Sequence, residues 1–428
     1  MHLRRHSRVT PSQQTGDTVR RVVSVVAAAA VTFALPSIAS AAPLEPDDSF
    51  SGNGRASLNV RGYDQSSDVV IDGTSSYLVG TTQKSRDDAC AFMVAKYNAS
   101  GSLVRSFGSR GKRVLTIGRE SCALSGALTQ DGGVLVAGWS VSRRLSVVVV
   151  KLRPSGALDR TFSGDGLLKI PVSQGVDWPL VESSPDGSIW LAWGAVRGYD
   201  YDAHVSDFRV MHFSSRGRVD RSFSGDGSKM FDVARRDYPY FSTVDADGRF
   251  YLTGYGTRSS KTAGAASLLS ISANGRSYQR NVRPWGARGS LPLTVDVAAD
   301  GQVVLGLTPW KDAGWGAARF SPTLDRDPTY GRDGYAKHSC RCYSSAGTLT
   351  PDGLVLVGGT QNKQARTAVA RFTLDGHWDQ TVGTRWVDLF SGWEYWVEAE
   401  TDAAGRVVMV GTAKTRTVDA VIARLVAV

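Results

Sequence analysis

An Asp-Gly pair followed by a short apolar run recurs along this chain at Asp72-Gly73, Asp131-Gly132, Asp186-Gly187, Asp247-Gly248, Asp300-Gly301 and Asp352-Gly353. Ala404-Gly405 is a seventh copy, and the spacings are 59, 55, 61, 53, 52 and 52 residues. Asp-Gly supplies the positive φ angles of a tight hairpin turn, and the runs that follow it are rich in strand-forming residues: VLVAG at 134–138, FYLTG at 250–254, LVLVG at 354–358 and VVMVG at 407–411. Each pair is therefore read as a hairpin between two strands.

A further strand signal follows each hairpin after a gap of variable length: FMVAKY at 92–97, VVVVKL at 147–152, FRVMHF at 208–213, AARF at 317–320, AVARF at 368–372 and VIARL at 421–425. A fourth extended stretch follows FGSRG at 107–111, FSGDG at 162–166, FSGDG at 223–227 and YGRDG at 330–334. No segment reads as a long amphipathic helix. A four-stranded unit of this size cannot cover both faces of its own sheet, so neighbouring units must stack face to face, and radial repetition is the all-β solution. The expected fold is a seven-bladed β-propeller of four-stranded antiparallel blades, with degenerate copies near Asn281 and Val382. The strand at 55–60 is expected to complete the blade that ends with VIARL, which hides two sheet edges at once.

The cycle of Asp-Gly hairpin, Arg-Leu/Phe strand end and G-x-L-D-x-S-F-G-x-x-G resembles the delta-60 repeat, a β-propeller repeat of bacterial exported proteins. Residues Gly156-Ala157-Leu158-Asp159-Arg160-Thr161-Phe162 and Gly217-Arg218-Val219-Asp220-Arg221-Ser222-Phe223 carry it best. The resemblance covers the chain after its first segment, and it implies a fold and no shared activity. The fourth unit departs from it at Ser277-Tyr278-Gln279-Arg280-Asn281, which puts that blade's outer strand in doubt.

Residues 1–41 read as a signal peptide. Five arginines precede an uncharged apolar stretch from Val22 to Leu35, which runs into Ala39-Ser40-Ala41-Ala42, a small-residue cleavage site. The apolar run falls short of the roughly 20 residues that span a bilayer. Either the general or the twin-arginine export route fits. Residues 42–428 then form one domain, secreted, monomeric and without a membrane span. It keeps 45 basic and 39 acidic residues, so its net charge is +6 against +10 for the whole chain. The basic residues come singly or in pairs with acids nearby, which excludes the basic stripe that nucleic acid requires. In an exported chain four cysteines predict disulfides, Cys90 with Cys122 and Cys340 with Cys342, the second pair being alternatively two thiols or a reducible switch.

In a repeat, residues present in every unit serve the unit, and a site belongs where the repeat is broken. The recurring cations Lys96, Lys151, Arg319, Arg371 and Arg424 and the recurring acids Asp159, Asp220, Asp325 and Asp379 are accordingly read as polar pairs between blades. All length variation falls on the rim opposite the Asp-Gly hairpins. The longest insertion, 195–207, carries Tyr199, Asp200, Tyr201, Asp202 and His204, and the same rim receives Trp178, Trp285, Trp310, Trp315 and Trp393, with Tyr63 and Tyr238. These are the candidate ligand-binding residues, since exposed aromatics on loops of a rigid scaffold are common binding elements.

No G-x-S-x-G, H-E-x-x-H, C-x-x-C or phosphate-binding glycine loop is present, so no catalytic residue, cofactor or metal site is assigned. Asp245-x-Asp247-Gly248 and Asp200-x-Asp202 have calcium-like spacing without the further ligands a calcium site needs. The expected function is a non-catalytic binding or scaffold protein of the cell exterior, whose variable rim engages a glycan, a peptide or an envelope polymer. The alternative is an extracellular hydrolase or lyase with a polar site at the channel mouth, built on His204, Asp200 and Asp202.

Overall fold

A computed structural model describes residues 43–426 apart from 201–202, 235, 258–263, 284–288, 310–313, 341 and 361–365. The expected signal peptide, Tyr201, Asp202, Trp285 and Trp310 lie outside the described residues, as do the side chains of Tyr199, Asp200 and His204. The described chain is all β, arranged as five four-stranded antiparallel sheets and one eight-stranded sheet. Within the larger sheet, strands Glu394–Thr401, Val407–Lys414 and Val418–Leu425 carry the N-terminal strand Arg55–Leu58 antiparallel to the last of them, Arg55 opposite Ala423. A single parallel pair, Tyr63 with Val418, joins this group to the strands that begin at Tyr63.

The Asp-Gly turns join the innermost strand of each group to its second strand, as the turn chemistry predicts. The inner strands are Tyr63–Asp72, Glu120–Leu128, Val176–Ser183, Arg236–Val244, Ser290–Val297, Cys342–Thr350 and Glu394–Thr401. Each packs beside the inner strand of the next group, and Glu394–Thr401 packs beside Tyr63–Asp72, so they close around a central channel. The hydrophobic clusters lie between neighbouring groups, as where Val70, Tyr77 and Phe92 meet Val134, Val136 and Val148.

One contact recurs at these interfaces. The aromatic residue that follows the Ser or Thr of the repeat's turn is buried against a glycine in the corresponding turn of the next group: Phe50 on Gly101, Phe107 on Gly156, Phe162 on Gly217, Phe223 on Gly275 and Tyr330 on Gly376. A Cβ on Gly217 would stand 2.7 Å from the Phe162 ring, and one on Gly376 2.9 Å from Tyr330. Backbone hydrogen bonds tie the same turns together, Ser163 N to Arg216 O at 2.9 Å and Gly331 N to Asp375 O at 2.7 Å.

Two interfaces lack the aromatic ring, and both replace the glycine. Asn281 stands in the aromatic position of the fourth unit, and its partner is Leu324; Val382 stands there in the sixth, and its partner is Leu44. Both leucines keep the left-handed backbone of the glycines they replace, with φ of 66° and 61°, and both are buried. Each fills the volume left by the missing ring, at the roughly 1–2 kcal/mol that a side chain costs in that conformation. Asn281 Nδ2 also donates to Leu324 O at 3.0 Å. The outer strand of the fourth unit, doubtful from its sequence, is present as Tyr278–Arg283, paired along Ala265–Ile271. The loss of the aromatic turn changed the interface and left the strand in place.

The recurring cations and acids pair within a unit, contrary to the reading of pairs between blades. Lys151 reaches Asp131 at 2.8 Å and Asp159 at 3.2 Å, His212 reaches Asp220 at 2.8 Å and Arg371 reaches Asp379 at 2.8 Å. The acid stands eight residues after the cation, so the partner of Arg319 is Asp327 at 2.7 Å, and Asp325 instead belongs to the turn. Arg424 takes Asp47, at 2.8 Å, from the N-terminal segment. The second oxygen of each such acid accepts from the following Ser or Thr, as Asp159 does from Thr161 and Asp379 from Thr381. These acids are held below the usual carboxyl range by those hydrogen bonds and by the adjacent cations, which outweigh an opposing effect of burial.

Cys90 is bonded to Cys122, which links two adjacent groups, and Cys340 to Cys342.

Replacing Leu324→Gly is expected to lower stability by about 1–3 kcal/mol, because the lost packing exceeds the relief of a left-handed leucine. Gly217→Ala is expected to be destabilising as well. Urea unfolding midpoints measure both, and a stabilised Leu324→Gly protein would contradict the compensation.

Candidate functional site

Every inner strand carries a β-bulge at the same height. The register slips between Ser66 and Asp68, Ala123 and Ser125, Asp177 and Leu180, Pro239 and Phe241, Pro292 and Thr294, Ser344 and Ala346, and Trp396 and Glu398. A bulge leaves a residue unpaired and re-aims it. Here the unpaired residues, Ser67, Leu124, Trp178 with Pro179, Tyr240, Leu293, Ser345 and Val397, stand where the strands face the channel, and all but Pro179 line it.

The bulged backbone needs room on the second strand. A Cβ on Gly254 would overlap the carbonyl oxygen of Tyr238, and one on Gly80, Gly138 or Gly411 would overlap Gln65, Cys122 or Tyr395 in the same way. This explains the glycine that ends the apolar run after the hairpins, as in VLVAG and FYLTG.

The channel holds a cavity of about 710 Å³. One end of it, the mouth, lies at the start of the inner strands, on the rim opposite the Asp-Gly hairpins. Trp178, Tyr240 and Tyr395 line it there, Trp178 and Tyr395 each 49 % exposed. Trp178 meets Tyr240 edge-on with centroids 5.9 Å apart, and its backbone sits at φ 39°, an unusual conformation for a bulky residue.

Deeper along the strands the wall carries five carboxyl groups in two tiers. Asp68 and Glu398 follow their bulges directly, and Glu182, Asp296 and Glu400 stand two residues further on in register. Asp68 accepts from Gly126 N at 2.6 Å, Glu182 from Ser242 Oγ at 2.8 Å and Asp296 from Thr294 Oγ1 at 2.7 Å. Among the described residues no Lys, Arg or His lines the cavity. Water reaches these carboxyls only through the channel, and protein surrounds them, so burial pushes Asp68 up to about 7, Glu182 to about 8 and Asp296 to about 6. Glu398 and Glu400 rise well above the carboxyl range, first through burial and then through repulsion from neighbouring acids of the same ring.

Other acids near the inner strands are structural. Asp64, Asp237 and Glu394, with Ser121, occupy one register position and accept from the connecting loop: Val60 N to Asp64 at 2.7 Å, Val233 N to Asp237 at 2.9 Å, Phe390 N to Glu394 at 3.1 Å and Ile117 N to Ser121 at 3.1 Å. Asp245, of the calcium-like spacing, caps its own hairpin by accepting from Asp247 N and Arg249 N.

Of the residues expected to bind ligand, Trp178 stands at the channel mouth. Trp393 is 46 % exposed on the same rim and does not line the cavity. Trp315 is fully buried among Leu293, Tyr330 and Leu354 between two sheets, and is a core residue. The insertion at 195–207 is not a loop: Ile189–Asp200 and Ala203–Phe213 stay paired from Ala195 with Asp207 to Asp200 with Ala203, prolonging their hairpin. Tyr240, Tyr395 and the five carboxyls are additions. Their signal in the sequence is a broken repeat, acids at inner-strand positions where other units carry Ser, Leu, Phe, Val, Ala or Thr.

The profile of the DUF5122 β-propeller domain of unknown function matches residues 129–162 and 350–381. The chain is a β-propeller. Streptogramin B lyase is similar to 12 % identity over 86 % of this chain and 97 % of its own, with a TM-score of 0.49. Polysaccharide lyase Uly1 is similar to 9 % identity over 85 % and 90 %, TM-score 0.49. The β-propeller domain of the Trilobed protease from Pyrococcus furiosus is similar to 10 % identity over 85 % and 96 %, TM-score 0.47. No curated protein matches the chain. The propeller has two disulfides, and no helix among its described residues is long and apolar enough to cross a membrane.

A carboxyl whose pKa is raised by folding binds its proton more tightly in the folded than in the unfolded chain. Its ionisation therefore opposes folding, and stability falls as pH rises between the unfolded and folded values. The lowered acids of the turns act in the opposite sense, losing their contribution only in strong acid. The thermal midpoint is expected to be higher at pH 5 than at pH 8, and Glu400→Gln is expected to raise the midpoint at pH 8 with little effect at pH 5. A midpoint that rises from pH 5 to 8 would contradict this.

Proposed function

We propose that this protein is a secreted, monomeric, seven-bladed β-propeller of the delta-60 repeat type that binds a ligand at the cell exterior without transforming it. The ligand enters the channel from the variable rim and rests on the aromatic mouth above the carboxyl tiers. A glycan, a peptide or an envelope polymer are the ligand types in view. The observation that carries this reading is the concentration of repeat-breaking residues in one cavity: Trp178, Tyr240 and Tyr395 with Asp68, Glu182, Asp296, Glu398 and Glu400. Its volume falls within the range of ligand pockets, roughly 300–1,000 Å³. The ring of inner strands and the pairing of Arg55–Leu58 with the last strand support the blade count. The arginine-rich start, the apolar stretch and the disulfides support export.

One feature favours a hydrolase or lyase as a second reading. Carboxyls whose pKa values are spread from about 6 to about 8 in one cavity can serve as acid and base at neutral pH. Substrate turnover abolished by Glu182→Gln would decide for it.

Binding is tested on glycan and peptide arrays with the wild-type protein and with Trp178→Ala and Tyr395→Ala. Both side chains are half exposed, so the variants are expected to fold normally and to lose affinity at least tenfold. Undiminished binding by both would refute the channel mouth as the site.

A further inference from the structure

We infer that the channel is a receptor for an extended, multiply protonated alkylamine, threaded past the aromatic mouth with its ammonium groups on separate carboxylates. This rests on the reading of the channel as the binding site and adds the class of ligand.

The charge in the channel is one-sided. Asp68, Glu398, Glu182, Asp296 and Glu400 face it from four inner strands, the other inner strands add Tyr240 as their titratable lining group, and among the described residues no cation answers them. In its ionised form such a wall repels phosphates and acidic polysaccharides, although the chain as a whole is basic, at +10. A compact metal ion does not fit the spacing. The groups of three possible ligands whose donor atoms all approach within 4.8 Å, among the described residues, are Cys90, Glu120 and Cys122, and Asp207, Asp232 and Asp237, and neither lies in the channel. Carboxyls arranged in two tiers, two residues or roughly 7 Å apart along the strands, suit charges distributed along a chain.

The aromatic entrance points the same way. The faces of Trp178, Tyr240 and Tyr395 at the entrance attract cations and cover methylene groups. The raised carboxyl pKa values add a linkage: a bound polycation draws these groups into their ionised form, so protons leave as it enters.

The test is calorimetric titration of the full protein with spermine, putrescine, magnesium and a hexalysine peptide, between pH 6 and 8. Spermine is expected to bind at least tenfold tighter than putrescine, to release protons, to tighten as pH rises, and to resist competition by magnesium at equal charge. Glu400→Gln and, independently, Asp296→Asn are expected to weaken spermine at least tenfold. Hexalysine binding with the same dependence on Glu400 would assign the ammonium chemistry to a peptide source. No spermine binding at pH 8, or binding indifferent to both carboxyl variants, overturns the inference. If a neutral glycan still binds through Trp178 in that case, the binding reading survives without it. If Trp178→Ala is also without effect on every array ligand, both fall.

Discussion

The ring stands on the contact of an aromatic side chain with a glycine in the next unit. Phe162 can lie against Gly217, and Tyr330 against Gly376, only because no Cβ intervenes. The aromatic plug and the backbone bonds beside it fix the spacing of one unit against the next. Where the plug is lost, at Asn281 and Val382, a leucine accepts the strained glycine backbone and fills the gap from the other side. Packing thus sets the demand, and two chemistries meet it. At each of these positions the backbone keeps its left-handed turn, so the inner strands hold their places around the channel.

That constancy gives the bulges their meaning. Every inner strand bulges at one height, and a glycine on the second strand commonly makes room for it. The bulge turns one residue per strand toward the channel and sets the alternation that follows. Charged residues then divide by register. Those repeated around the ring, such as Lys151 with Asp159 or Asp237 over its loop, are satisfied locally. Those that break the repeat, from Asp68 to Glu400, share the channel wall, where no Lys, Arg or His stands among the described residues.

The parts of the fold written into local chemistry are legible in the sequence. Asp-Gly turns and the strand runs after them follow from short-range rules, and the two disulfides have the pairings favoured from repeat position, where Cys340 and Cys342 were open to other readings. The acid eight residues after each cation was harder, since Asp325 and Asp327 both fit the spacing loosely and only the turn geometry selects Asp327. Trp315 looked like a rim residue because the loop before it is variable, yet it starts a strand whose face is buried. The channel was not legible for a geometric reason. Its five acids are scattered from residue 68 to residue 400, and they meet only because the ring closes. The bulge also shifts the alternation by one residue, so a simple period-two reading of the inner strands aims half of each strand the wrong way.

The channel confines a ring of carboxyls that keep protons near neutral pH. Carbon-detected NMR titration of the side-chain carboxyl resonances tests it directly, with Glu182→Gln and Glu400→Gln for assignment. The resonance lost in Glu182→Gln is expected to titrate at about pH 8, and the one lost in Glu400→Gln well above the ordinary carboxyl range. If every Asp and Glu in the folded protein titrates below pH 5, the channel is open to bulk water and the account is wrong.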